Sequence, residues 1–600
     1  MKELKALNKY FLKYKWHLLG GILFVTISNL FGIFPAQLTR NALDVVAANI
    51  DTFRLTGGFE VSEEVYKSLI YNILLFGVLV ISMALAKGVF MFFMRQTIIV
   101  MSRHIEYDMK NEIYAQYQKL GLDFYNKNNT GDLMNRISED VGRVRMYVGP
   151  AIMYSINMLV MFILVIWAMY SVNARLATFV LIPLPLMSLL VYYVHERINK
   201  KSEAVQAQLS DLSTFVQEAF SGIRLIKAYA REKQYQQAYR EETEKYNKLS
   251  MELVRVNSMF MPTLLLLVGV STILTIYIGG LEVIRGNITV GNIAEFVIYV
   301  NMLTWPVASL GWVISIIQRA AASQHRINEF LHAVPSVKSG GVDCRKIEGH
   351  IRFSDVTIQY EEGRAPALVN VSFEVKPGEA VGIIGRTGAG KSSVVNALLR
   401  LTDPVTGTIS VDGRDLRDLN LAAYRERIGV VPQDVFLFSD TIRGNIAFGA
   451  GQQVTQHEIE DSAKMAVVYD NIIGFPNGFD TMVGERGITL SGGQKQRVSI
   501  ARAIIRKPDL LIFDDCLSAV DTLTEEKILS NLNLIMKGRT TLVVSHRVST
   551  VKSCSRILVL DEGLLLESGT HEELIRKQGL YAQLYDMQLA NPEGIDTSEG

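Results

Sequence analysis

Apolar and polar positions divide this chain into two unlike parts. Through residue 330, six stretches run for roughly the 20 residues that a membrane-crossing helix requires, without a charged side chain. In chain order they are His17–Thr39, Ser68–Ala86, Met146–Ala174 (bounded by Arg145 and Arg175), Leu176–Val194, Val256–Leu281 and Phe296–Gln318. None alternates with the two-residue period of a barrel strand. Lipid offers backbone groups no partners, so these stretches predict a helical bundle with spans at about 17–39, 68–92, 146–172, 174–196, 256–281 and 292–318. Between them, 87–145 and 195–255 are long, charged and helix-patterned, as helices that continue beyond the bilayer would be. The last 260 or so residues are mixed in composition and soluble-like.

Charge sets the orientation. Lys2, Lys5, Lys9, Lys13 and Lys15 precede the first span with Glu3 the one acid among them, which places the N-terminus in the cytoplasm. An even span count returns the chain to that side. A cleavable leader is not expected, nor an N-terminal peptidase-like domain. The averages, net charge +1 with 49% hydrophobic and 20% charged residues, conceal this division and give no sign of a nucleic-acid partner. Cys344, Cys516 and Cys554 all fall on the inferred cytoplasmic side and fit no zinc spacing. Lys87, Arg95 and Glu295 stand near the ends of predicted spans and read as side chains snorkelling to the interface. Asn287-Ile-Thr289 matches a glycosylation acceptor on a short loop.

The second part carries the chemistry. Ala380-Val-Gly-Ile-Ile384 leads into Gly385, Arg386, Thr387, Gly388, Ala389, Gly390, Lys391 and Ser392, followed by Ser393 and a helical run. This strand–loop–helix phosphate cradle presents backbone N–H groups to a polyphosphate. Lys391 would neutralise the β- and γ-phosphates, and the Ser392 hydroxyl would hold Mg²⁺. Leu510-Leu-Ile-Phe-Asp514 reads as a buried strand that delivers Asp514 to the same sheet edge, near the metal. Ser491-Gly492-Gly493-Gln494, after Leu490, offers a second anion-binding helix start.

Leu-Ser-Gly-Gly-Gln between a phosphate loop and an acidic strand resembles the signature of ATP-binding-cassette (ABC) proteins. The resemblance covers about residues 350–585. It implies that Tyr360 stacks on adenine, that Gln433 senses the γ-phosphate side and joins Ser392 and Asp514 at Mg²⁺ (Asp514 through water), that Asp521 in Ser518-Ala-Val-Asp521 crosses to the opposite subunit, and that His546 is the switch histidine. Gly484-Glu485-Arg486-Gly487 resembles the segment that exporters of the family add before the signature. The segments at 122–136 and 214–230 resemble exporter coupling segments. The implied layout is a transmembrane domain at 1–330, a linker at 331–349, a nucleotide-binding domain at 350–590 and a disordered tail at 591–600. Membrane half before cassette looks like a half-size exporter, working as a dimer in which each ATP lies between one phosphate loop and the other chain's signature.

One position departs from the family pattern. After Asp514 these proteins normally carry glutamate, whereas here Asp515 follows. Aspartate and glutamate differ little in basicity, with unperturbed pKa values of about 3.9 and 4.3. Reach differs by a methylene, and a misplacement of about 1 Å can cost on the order of 100-fold in rate. The expectation is a slow ATP site in a heterodimer with a glutamate-bearing partner, a homodimer of two slow sites being the alternative. The implied activity is ATP-driven export of a hydrophobic or amphipathic substrate, drug-like or lipid, across the cytoplasmic membrane, with an ATP-gated regulator as the rival reading.

Overall fold

The computed structural model describes residues 2–55, 63–360, 365–450, 454–484, 490–516 and 522–590. Asp521, residues 485–487 and the 591–600 tail lie outside the described residues. The chain forms two compact units, one of residues 1–118 with 130–333 and one of 119–129 with 334–600.

The first unit is all helical. Six helical stretches are long and apolar enough to cross a membrane: Lys15–Asn49, Lys67–Lys119, Thr130–Val172, Ala174–Ser221, Glu232–Ile284 and Val290–Leu331. Five of the predicted stretches fall each within one of them; the third, Met146–Ala174, outruns its helix, which ends at Val172 where Asn173 turns extended. Pro150, which cannot donate a helical hydrogen bond, sits in a widened turn at Tyr147–Ala151. The sixth span is the centre of the packing: Phe296, Tyr299, Val300 and Leu303 are fully enclosed with Val165 and Met169 of the third span and Ala177 and Val180 of the fourth. Apolar surface on all sides suits a helix whose neighbours are other helices or lipid.

Buried charges in this unit are paired. Glu295, predicted to snorkel, is wholly enclosed instead. It accepts hydrogen bonds from Arg40 (3.2 Å), Asn292 (3.1 Å) and Tyr299 (2.8 Å). Asp44, one turn beyond Arg40, accepts from the Gly291 N–H (2.9 Å) and the Thr289 hydroxyl (2.8 Å). Together these bonds tie the end of the first span to the start of the sixth. Glu282 is held by Arg285 and Asn287, each at 2.7 Å, so the acceptor asparagine of the glycosylation motif is engaged in packing. Asp140 is clasped by Arg326 and the Ser323 hydroxyl.

The second unit holds two sheets. An antiparallel sheet of order β2-β1-β4-β5 comprises β1 (Ile351–Ile358), β2 (Leu368–Val375), β4 (Thr406–Val411) and β5 (Arg414–Asp415). The larger sheet has the order β10-β9-β3-β8-β7-β6, from β3 (Ala380–Gly385), β6 (Ile428–Val431), β7 (Leu510–Asp514), β8 (Thr540–Val544), β9 (Arg556–Asp561) and β10 (Leu564–Gly569). All its neighbours are parallel except the edge pair β9/β10. β7 and β8 are buried at every position, which is why they read as unbroken apolar runs rather than alternating ones. Three helices bear on the nucleotide site: α1 (Lys391–Leu398), α2 (Gly492–Ile504) and α3 (Leu580–Ala590).

Breaking the Arg40–Glu295 pair from one side leaves a buried charge without its partner, at a cost of about 3–5 kcal/mol. Glu295→Ala should therefore lower the thermal midpoint of the detergent-solubilised protein clearly, and Arg40→Met/Glu295→Met should recover most of the loss. Equal midpoints for Glu295→Ala and the double variant would show that the pair is not what holds these ends together.

Candidate nucleotide site

Register decides which residues meet. Ile383 of β3 pairs with Val544 of β8, and Val544 pairs with Asp514 of β7, so three parallel strands end in one row. The segments leaving these strands therefore converge: the 385–392 loop after β3, Ser545 and His546 after β8, and Asp515 after β7. Two backbone bonds lock the row, Ser545 N–H to Ile383 O (3.0 Å) and Asp515 N–H to Val544 O (2.8 Å). Val431 at the end of β6 pairs with Phe513, which brings the exposed Gln433 to the same edge two residues later.

The 385–392 loop has the shape of an anion cradle. Gly390 adopts φ +93° immediately before α1, and a Cβ there would collide with the Ala367 carbonyl, so no other residue fits. The Lys391 ammonium lies back against its own loop, donating to the carbonyls of Gly385 and Arg386 at 2.8 Å each. Burial pushes the Lys391 ammonium below its ordinary range, while the carboxylates of Asp515 and Asp514 oppose the shift. A polyanion that brings its own charge would restore the ammonium and take over its hydrogen bonds.

Ser392 Oγ stands 3.4 Å from Asp514 Oδ1. Burial raises the Asp514 carboxyl above the usual carboxylate range; the Ser392 hydroxyl pulls it back and the Asp515 charge raises it again. A hydroxyl and a carboxylate placed together are hard oxygen donors, and they fit Mg²⁺, which takes one or two protein ligands beside phosphate oxygens and water. Among the described residues no cluster of three His, Cys, Asp or Glu forms a self-sufficient metal cage, and a metal shared with a nucleotide does not require one.

Asp515 sits in left-handed backbone, φ +48°, and its side chain is nearly enclosed. His546 Nδ1 contacts both of its oxygens, at 2.8 and 2.9 Å. A carboxylate only accepts, so Nδ1 carries the proton and Nε2 is left for another partner. Tyr360 is half exposed, and its hydroxyl donates to Ser393 Oγ (3.1 Å) and accepts from Asn396 (3.2 Å), which tethers the ring to α1.

Ser491 and Gln494 form a reciprocal cap at the start of α2. Ser491 Oγ accepts from the Gln494 N–H (3.3 Å), and Gln494 Oε1 accepts from the Ser491 N–H (3.0 Å). Gly492 and Gly493 open the helix, so an exposed serine stands at its positive end on an element other than the phosphate loop. The structure thus gathers the 385–393 loop, Gln433, Asp514, Asp515 and His546 at one sheet edge, tethers Tyr360 from the other sheet to Ser393 and Asn396, and gives the 491–494 motif its own helix.

Two contributors have no signal in the sequence. Gln588 of α3 donates to the His546 carbonyl (2.7 Å) and accepts from the Val548 N–H (2.8 Å), so one amide grips both sides of the histidine loop. Arg502 of α2 donates to the carbonyls of Phe436 and Asn445 and to the Asn445 side chain, each at 2.8 Å, and lies over the rings of Phe438 and Phe448. Burial pushes its guanidinium down to about 10. Both act across more than 40 residues of sequence, which is why no local motif announces them.

A phosphate-cradling parallel sheet, joined in one chain to six membrane-length helices, defines an ATP-driven membrane transporter. The family comparisons agree. The ABC transporter transmembrane region matches residues 18–307, and the ABC transporter family matches residues 368–518. "Multidrug resistance-like ATP-binding protein MdlA" of Escherichia coli (strain K12) is 36% identical over 81% of this chain and 82% of its own length. The "ATP-dependent lipid A-core flippase" of Syntrophus aciditrophicus is 34% identical over 85% and 84%. The solved structure of a bacterial Atm1-family ABC exporter with ATP bound superposes with a TM-score of 0.76 at 26% identity, covering 95% of this chain and 99% of that one. The chain belongs to the ABC transporter family and is a multi-pass, ATP-hydrolysing exporter. Exporters of this kind act as dimers.

Gln588→Ala should lower kcat by about tenfold with KM for ATP little changed, because it frees the histidine loop without touching the phosphate cradle. A rise in KM at constant kcat would place Gln588 in binding instead. Asp514 binds its proton more tightly folded than unfolded, so its contribution to stability is present in acid and is lost as pH rises through its folded value. At neutral pH Asp514→Asn should stabilise the nucleotide-free protein, by on the order of 1 kcal/mol in thermal unfolding, while abolishing turnover.

Proposed function

We propose that this chain is the slow-site half of a heterodimeric exporter in the cytoplasmic membrane, moving a hydrophobic or amphipathic substrate, drug-like or lipid, by alternating access. The observation that carries the reading is Asp515: one methylene shorter than glutamate, with both oxygens against the His546 ring. The relatives named as a multidrug resistance-like protein and a lipid A-core flippase support the substrate class.

In this reading residues 1–330 form the transmembrane domain, 331–349 the linker and 350–590 the nucleotide-binding domain on the cytoplasmic side. Tyr360 stacks on the base. The N–H groups of 385–393 and the Lys391 ammonium hold the phosphates. Ser392, Gln433 and Asp514 hold Mg²⁺, Asp514 through water, and the ion when bound neutralises phosphate charge. Ser491, Gly492, Gly493 and Gln494 close on the partner's nucleotide, with Asp521 and His546 completing the contacts across the dimer. Closure is passed on by the segments near 122–136 and 214–230.

The chemistry falls to Asp515. To activate the attacking water, its carboxylate must orient that water while remaining hydrogen-bonded to His546, and its shorter side chain stands back from the phosphorus. Asp515→Glu should therefore raise ATP turnover at this chain's loop by roughly 10- to 100-fold. Unchanged turnover would sink the geometric account. Lys391→Ala should abolish ATP binding at the same loop. Co-expression with a glutamate-bearing half-transporter should give a pair far more active than this chain alone; full activity from this chain alone would favour the homodimer. ATP-dependent accumulation of substrate against its gradient in proteoliposomes separates an exporter from an ATP-gated regulator.

A further inference from the structure

Lys87 is not at a membrane edge. The first and second spans run antiparallel, and their contacts fix the depth of each residue. Gly20 lies against Thr97, the Phe24 ring meets Phe93 at 5.5 Å, and the Ser28 hydroxyl donates to the Lys87 carbonyl at 3.2 Å. The Lys87 ammonium lies beside Gly32, 3.2 Å from where a Cβ on that glycine would stand. From His17, where the first apolar stretch begins, Ser28 and Gly32 are about 16 and 22 Å along the helix at 1.5 Å per residue. From Thr39, where it ends, they are about 16 and 10 Å away. Lys87 therefore stands inside a hydrocarbon layer of about 30 Å, farther from either face than its four-carbon stem reaches. The reading of Lys87 as an interfacial snorkeller is corrected by this register.

A charge at such depth is costly unless it faces a polar cavity or a counter-ion. Between 18 and 39, and between 68 and 102, the sequence has no acidic residue. Within the six predicted spans the acids are Glu196, at the last position of the fourth span and paired with Lys200, and Glu295, which Arg40 already holds. The two spans pack against each other through aromatic rings on the same stretch. Phe34, Phe31, Phe90, Phe24, Phe93 and Phe92 form a continuous ladder between the two spans, with successive ring centroids 6.3, 5.6, 6.3, 5.5 and 5.6 Å apart. Both ends of the ladder are open: Phe34 is 36% exposed, Phe93 44% and Phe92 57%. Beside Phe92 and Phe93 the second span presents an open apolar face formed by Ile81, Ala84, Leu85, Gly88 and Val89.

We propose that this phenylalanine ladder and the Lys87 ammonium form a substrate-binding site for a drug-sized organic anion with an aromatic body. The rings offer stacking and edge contacts to the body. The ligand's acid group supplies the counter-charge to Lys87 that no residue of these spans provides, and Gly32, lacking a side chain, lets the Lys87 stem lie along the first span. The inference rests on the exporter reading and narrows its substrate class from amphipathic to anionic.

The test is a matched pair of probes on the full-length protein in phosphatidylcholine nanodiscs: 8-anilinonaphthalene-1-sulfonate and N-phenyl-1-naphthylamine, the same ring system with and without the sulfonate. After subtraction of empty discs, the sulfonate should bind at least about tenfold tighter than the amine. Lys87→Met should erase that preference, Lys87→Arg should keep it, and Phe31→Ala should weaken both probes alike. An unchanged preference in Lys87→Met overturns the site, as does wild-type protein that binds both probes equally or neither. ATP-dependent uptake into inside-out vesicles that carry this chain together with a co-expressed glutamate-bearing half-transporter separates the two levels. Uptake of the neutral amine without any preference for the anion defeats this inference and leaves the exporter reading standing. No ATP-dependent uptake of either probe or of a cationic dye defeats the exporter reading itself.

Discussion

Parallel pairing of β3, β8 and β7, with Ile383, Val544 and Asp514 in one row, is the constraint on which the nucleotide site depends. Parallel strands end together, and in an open α/β sheet the groups beyond those ends share a crevice. The phosphate loop, the acidic pair and the histidine come from segments more than 100 residues apart at their extremes, yet no long reach is needed to assemble them. A shift of one residue between β7 and β8 would turn Asp514 from the site toward the opposite face of the sheet. The unbroken burial of Leu510–Asp514 and Thr540–Val544 works against such a slip, because a displaced strand would carry Asp514 into the apolar packing of Ile512 and Leu542.

How much of this was legible depended on whether the signal was local. The phosphate loop, the apolar strand before Asp514 and the serine–glycine helix start are contiguous patterns, each with its own physical reason, and each stands where the pattern implied. The six spans were legible for the same reason, since twenty uncharged residues are a statement about solvent. Gln588 and Arg502 were not, because a glutamine near a C-terminus and an arginine in an amphipathic helix are unremarkable until folding brings them against a distant loop.

The ionisable residues of the membrane part show where reasoning from sequence position fails. Glu295 stands three residues from the predicted start of its helix, and position alone suggests an exposed interfacial acid; the fold encloses it between Arg40, Asn292 and Tyr299. Lys87 stands near the end of its uncharged run, but its helix continues to Lys119, and its contacts set it beside Ser28 and Gly32, well inside the first span's own uncharged run. An uncharged run ends wherever a charge appears, so the run cannot distinguish a boundary from a charge retained within the bilayer. Only the neighbouring helix can.

Arg502 has one further consequence. It leaves the helix that begins at Ser491 and grips the backbone at Phe436 and Asn445, on the stretch just past Gln433. If Ser491 answers to one nucleotide and Gln433 to another, a single guanidinium forms a stiff strut between two fuel ports. Any tilt of that helix on engagement is handed directly to the second port, so the two halves of the engine need not fire independently even where their rates differ widely.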